Sequence, residues 1–324
     1  MHLPSLVLGL LGLALTGSAT PLEKRSSRTS APSGCLTVGS SGKYSTIAAA
    51  LSALGSSTSA ACIYIAAGTY SEQITINYPG ILTMYGETTD TSSYKKNVVT
   101  ITHTISSPQA GTLDKSATVN VVSAGFKMYN INVVNGYGEG SQAVALVANA
   151  DRLGFYGCSF LGYQDTLYAK AGRQYYSNCY IEGAVDYIFG DASAWFGECD
   201  IVSVGVGYIT AMSRTTSDET TWYAFDHCNI YGKSGLSLAG EVYLGRPWRV
   251  LARVIYQNSA LSNIINAKGW TTMAAGATPL YYEYNNTGAG SDTSARVYET
   301  SISAAVTKDT VLGSGWKTWI DTTY

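Results

Sequence analysis

Charge is scarce in this 324-residue chain: Asp, Glu, Lys and Arg together make up 13% of it, against ~25% in an average soluble protein. With 20 basic and 22 acidic residues and no basic run, it lacks the electrostatic footprint that holds nucleic acid. Histidine is almost missing, with three in all, and no HExxH pattern or histidine cluster stands ready for a zinc ion. The serine-esterase elbow GxSxG and the phosphate-binding P-loop are absent too. Long apolar runs are lacking as well. Leu3–Leu15 is the main one, short of the ~20 residues that cross a bilayer. Proline, at 7 residues, is too rare for a Pro-rich linker.

Glycine (34) and tyrosine (25) are abundant instead, a mix that favours short strands joined by tight turns. Residues 1–19 read as a secretory signal peptide, an apolar core followed by Gly17-Ser18-Ala19. Residues 20–25 read as a short propeptide ending in the dibasic Lys24-Arg25, which leaves 26–324 as one domain. The chain is expected to be secreted and extracellular, and to act as a monomer without nucleic-acid or membrane partners. Six cysteines, Cys35, Cys62, Cys158, Cys179, Cys199 and Cys228, suit an oxidising compartment and disulfides. The sequon Asn285-Asn286-Thr287 makes Asn285 a candidate glycosylation site.

Aligning the chain on its cysteines exposes a repeat. FYGCSF (155–160), YSNCYI (176–181), FGECDI (196–201) and FDHCNI (225–230) share an aromatic-x-x-Cys-x-apolar frame. FKMYNI (126–131) repeats it with Tyr129 at the anchor, and YQNSAL (256–261) with Ser259. Steps of 20 to 30 residues indicate a stacked array. The units carry short alternating strands broken by Gly, Asn and Asp rather than helical periodicity. The fold class expected is therefore all-β, a solenoid with one coil per repeat; an antiparallel sandwich is the alternative. Tyr44–Leu54 alone has helical spacing and would cap the N-terminal end of the stack.

Two aspartates share one place in this frame. Asp165 lies seven residues after Cys158, and Asp186 seven after Cys179. In-register coils would make them neighbours on adjacent parallel strands, ~4.8 Å apart along the backbone. Cysteines one coil apart would come equally close, so Cys158–Cys179 or Cys179–Cys199 could clip neighbouring coils. Carboxyls at that spacing repel, and one holds its proton to higher pH than the other. An acid/base or nucleophile/acid pair uses this arrangement. A ladder that merely satisfies backbone donors at turns is the alternative. Once residues 1–25 are removed only His103 and His227 remain, and His227 sits inside a repeat, so the aspartates are the best catalytic candidates.

Five blocks then resemble the pectin methylesterase family, in that family's order: QAVAL (142–146), GYQDTLY (162–168), VDYIFGD (185–191), LGRPWR (244–249) and GWTTM (269–273). GTYSEQI (68–74) matches its early coil, and the resemblance covers roughly residues 35–324. The leader and the compact chain are similar to the secreted microbial, fungal type. The resemblance implies a right-handed parallel β-helix that hydrolyses methyl esters of galacturonate in pectin, with no cofactor and no metal. It implies Asp186 as nucleophile, Asp165 as the protonated partner that serves methanol and then water, and Arg246 as the arginine that holds Asp186. Gln142 and Gln164 correspond to oxyanion donors. Trp248, Tyr168, Phe189, Trp270 and Met273 correspond to the apolar lining of a cleft for methyl-esterified homogalacturonan. A lyase or polygalacturonase on the same fold, and a polysaccharide-binding solenoid without activity, are the rival readings.

Overall fold

The computed structural model describes residues 26–324; the expected signal peptide and propeptide lie outside the described residues. The chain winds as a right-handed parallel β-helix. One sheet of ten parallel strands runs from Leu36–Val38 to Leu280–Tyr284. A second, thirteen-stranded sheet folds around the other two sides, because the strands Tyr180–Gly190 and Asp200–Met212 are long enough to turn the corner.

The repeat frame is the coil. Phe155 pairs with Tyr176, Tyr176 with Phe196, Phe196 with Phe225 and Phe225 with Tyr256. Their rings stack through the interior at 4.9, 4.7, 4.5 and 4.5 Å between centroids, a buried aromatic column. Just before the anchors Cys158, Cys179, Cys199, Cys228 and Ser259 the backbone turns with positive φ, at Gly157, Asn178, Glu198, His227 and Asn258. Asparagine, the commonest residue in that series, tolerates this left-handed region best after glycine.

The upstream copy of the frame is shifted. Met128 pairs with Phe155 and Tyr129 with Tyr156, so Ile131 takes the cysteine's place and Tyr129 does not. Phe126 misled the alignment: it is buried and packs edge-on against Phe155, but from two residues earlier in the coil.

The cysteines also differ from expectation. Among the described residues, the disulfide is Cys35–Cys62, which joins the first two coils. Cys158, Cys179, Cys199 and Cys228 are free and buried. In-register side chains on parallel strands point the same way rather than at one another. Each of the last three donates its thiol to a carbonyl one coil back, Cys179 to Phe155, Cys199 to Tyr176 and Cys228 to Phe196.

The capping helix is Ile47–Leu54, shorter at its start than the apolar spacing suggests. Thr46 accepts from the Ala49 N–H, and the Glu72 carboxylate accepts from Ile47 and Ala48, satisfying first-turn donors that have no partner within the helix. The C-terminal tail packs Val311, Leu312, Trp319 and Ile320 against the outside of the ten-stranded sheet.

Near the last coil, Arg296 and Glu283 form a forked pair at 2.7 and 3.0 Å with side chains only 1% and 2% exposed. Removing one partner leaves an uncompensated buried charge. Glu283→Ala is expected to cost about 3–5 kcal/mol in urea denaturation. A loss below about 1 kcal/mol, as at exposed pairs, would mean that water replaces the missing carboxylate.

Candidate active site

Asp165 stands just before the strand Leu167–Ala171 and Asp186 at the corner within the long strand Tyr180–Gly190, each with positive φ, 64° and 50°. The Asp165 N–H donates to Val185 O at 3.0 Å. Gln164 bridges Val185, and Leu167 and Tyr168 pair with Ile188 and Phe189. The aspartates are thus in register on adjacent coils, as their shared offset from the cysteines requires. Gln142 bridges Gln164 from the coil on the other side, so the glutamines form a row beside the carboxyl pair.

Arg246 reaches this place from two coils on. Gly245 pairs with Thr210, and a Cβ on Gly245 would lie 2.0 Å from the Thr210 hydroxyl, so only glycine lets the strands close here. Arg246 then donates from Nε and Nη2 to the two Asp186 oxygens, at 2.8 and 2.7 Å. Such a bidentate fork orients a carboxylate and pairs with its ionised form.

The two carboxyls are held differently. Asp165 is 7% exposed and has no side-chain hydrogen bond among the described residues. Burial, reinforced by the Asp186 charge and opposed by Arg246, pushes its pKa up to about 8. One carboxyl is gripped by a guanidinium while its neighbour keeps a proton at neutral pH, the separation that acid and nucleophile roles need.

These residues line one cleft of about 270 Å³, together with Leu113, Phe189, Ala211, Trp248 and Met273. Tyr168 stacks on Phe189 at 4.3 Å, and Trp248 leans on both at 6.4 and 5.9 Å. Phe189 is 2% exposed, so it serves mainly as the floor under Tyr168 and Trp248. Met273 is exposed at the rim.

Trp270 is the correction. It is fully buried, stacked on Tyr281 at 4.0 Å, and its indole N–H donates to Glu283. Trp270 pairs with Gly245, and alternation along a strand turns that position inward while the next, Arg246, faces out. It supports the last coils from within and does not line the cleft.

Two residues of the lining, Leu113 and Ala211, escape the sequence reading. Leu113 belongs to a helical excursion, Leu113–Ser116, outside the coil frame. Ala211 is a small residue whose only signal is its pairing with Phe189.

The family model for pectinesterases matches residues 35–323. The chain belongs to the pectinesterase family. A probable pectinesterase A of Neosartorya fischeri is 83% identical over 324 residues, covering all of both chains. The crystal structure of an Aspergillus niger pectin methylesterase is 79% identical and superposes with a TM-score of 0.92, covering 92% of this chain and 100% of that one. The carrot pectin methylesterase, 31% identical, gives 0.80 and covers 89% and 96%. The likeness to these pectinesterases spans the whole stack, including every coil that contributes to the cleft.

Proposed function

We propose that this pectinesterase hydrolyses methyl esters of galacturonate units in pectin by covalent catalysis at Asp186, with Asp165 as general acid and base. The observation that carries the reading is the unlike pair itself, a forked carboxylate beside a protonated one, in a cleft with aromatic walls. Asp186 attacks the ester carbonyl carbon at C6, and the electron pair moves onto the carbonyl oxygen. Gln142 and Gln164 supply amide donors for that oxyanion. Gln164 has no side-chain partner among the described residues, and Gln142 accepts only a 3.4 Å contact from Ser141 on its oxygen, so both amide N–H groups are available. Neutral donors suit a charge that exists only transiently.

Collapse of the intermediate breaks the bond to methoxide, which takes the Asp165 proton and leaves as methanol. Asp165, now a carboxylate, draws a proton from the water that attacks the acyl-enzyme. Asp186 is released, the product leaves as a uronic acid that gives its proton to solvent, and Asp165 is protonated again. Trp248 and Tyr168 offer apolar faces to the C–H faces of the sugar rings.

Highly methylated pectin tests this reading. Methanol is expected without any rise in reducing ends or unsaturated products; chain shortening would point to a depolymerase, and no product at all to a binding solenoid. The alkaline limb of kcat/KM is expected near pH 8. Above it Asp165 has lost its proton, and activity falls about tenfold per pH unit. A rate still climbing at pH 9 would remove Asp165 from the acid role.

The leader and the fungal relatives support secretion into the surroundings of plant cell walls. The Aspergillus niger enzyme carries an N-acetylglucosamine stub on an asparagine. Here Asn285 is exposed at a turn, which supports it as a glycan acceptor.

A further inference from the structure

Arg246 has a long way to go. Its strand is separated from the Asp186 coil by an intervening one: Phe189 pairs with Ala211 on that coil, and Gly245 with its Thr210. The guanidinium must therefore cross a whole coil before it meets the carboxylate. What lies under the span is Tyr208, on the intervening strand, paired with Val185 on one side and Tyr243 on the other. The Arg246 guanidinium carbon sits 3.8 Å from the Tyr208 ring centroid, and that ring rests on Tyr243 at 5.7 Å. No hydrogen bond of the Arg246 side chain other than the fork to Asp186 is present among the described residues.

We propose that Tyr208 is a positioning residue for the ester hydrolysis, a π platform that holds the Arg246 fork on Asp186. The proposal rests on Asp186 being the nucleophile. A guanidinium over an aromatic face is attracted by the ring quadrupole and loses little by partial desolvation. With the ring below and the carboxylate ahead, the guanidinium is oriented before substrate arrives. Tyr208 needs its ring for this, not its hydroxyl.

Tyr208→Leu and Tyr208→Phe are compared on methylated pectin, with Asp186→Ala alongside and melting curves for all. Leucine fills the space without a π face. It is expected to lower kcat about three- to thirtyfold with KM nearly unchanged. Phenylalanine should restore kcat.

Equal rates for wild type and Tyr208→Leu would overturn the proposal. So would a loss confined to KM, which means substrate contact, or a Phe variant as poor as the Leu one, which means that the hydroxyl acts. If Asp186→Ala retains activity, the mechanism itself has failed, an outcome separate from any result at Tyr208.

Discussion

Asp186→Ala is expected to abolish methanol release, lowering kcat by roughly 10⁴- to 10⁶-fold, the scale seen when a covalent nucleophile is removed. The fold should survive. Asp186 faces the cleft, and the Arg246 side chain it would strand is 21% exposed, so water can reach the freed guanidinium. Alanine in the left-handed region costs about 1–2 kcal/mol more, because Asp186 has φ 50°. Asp186→Asn avoids that cost and is the cleaner variant. It keeps shape and turn, loses the charge that attacks, and should be as inactive. Activity within tenfold of wild type in either variant would remove Asp186 from the chemistry.

Asp165→Asn has the second largest expected effect, in two opposite directions. Methanol release should fall by about 10²- to 10⁴-fold, since neither the proton for methanol nor the base for water remains. Stability at neutral pH should rise. Below about pH 4 the Asp165 carboxyl is protonated in both the folded and the unfolded chain, so it contributes nothing to pH dependence. Between about 4 and 8 the unfolded chain ionises it, while burial and the Asp186 charge keep it protonated in the fold. The folded state then binds more protons, and stability falls as pH rises through that window.

A neutral amide escapes this penalty. The gain at pH 7 is on the order of 2–4 kcal/mol, several degrees in Tm, and it should vanish by pH 4. A variant that is inactive yet no more stable at pH 7 would mean that water relieves the buried carboxyl. Stability given up for function at this place is the usual trade at a strained or buried catalytic group.

Much of this site was legible from spacing. The cysteine frame placed Asp165 beside Asp186 because parallel stacking carries a fixed offset from coil to coil, and the steps at Cys158, Cys179, Cys199, Cys228 and Ser259 all agree with the strand register. Where the frame failed, at Tyr129, an aromatic at the wrong phase imitated the repeat. Trp270 failed for a related reason. A motif match gives the residue but not the face of the strand it occupies, and one position decides between the core and the cleft. A disulfide does form, at Cys35–Cys62, but the clips suggested at Cys158–Cys179 or Cys179–Cys199 do not, because closeness along a stack is not enough. Parallel thiols that all point inward can each bond a backbone carbonyl without closing a covalent bridge.

By itself the sequence determined the repeat and the equal place of the two aspartates within it, since these depend on period and residue type alone. Only the tertiary structure decided that Arg246 crosses a coil to grip Asp186, and that Tyr208 lies under the crossing. It also supplied the cause of the Asp165 proton that the family resemblance implied: burial, with no side-chain hydrogen bond among the described residues. Those outcomes depend on what lies across a gap of one or two coils, and burial and distance there come from loops of unequal length that no local pattern encodes.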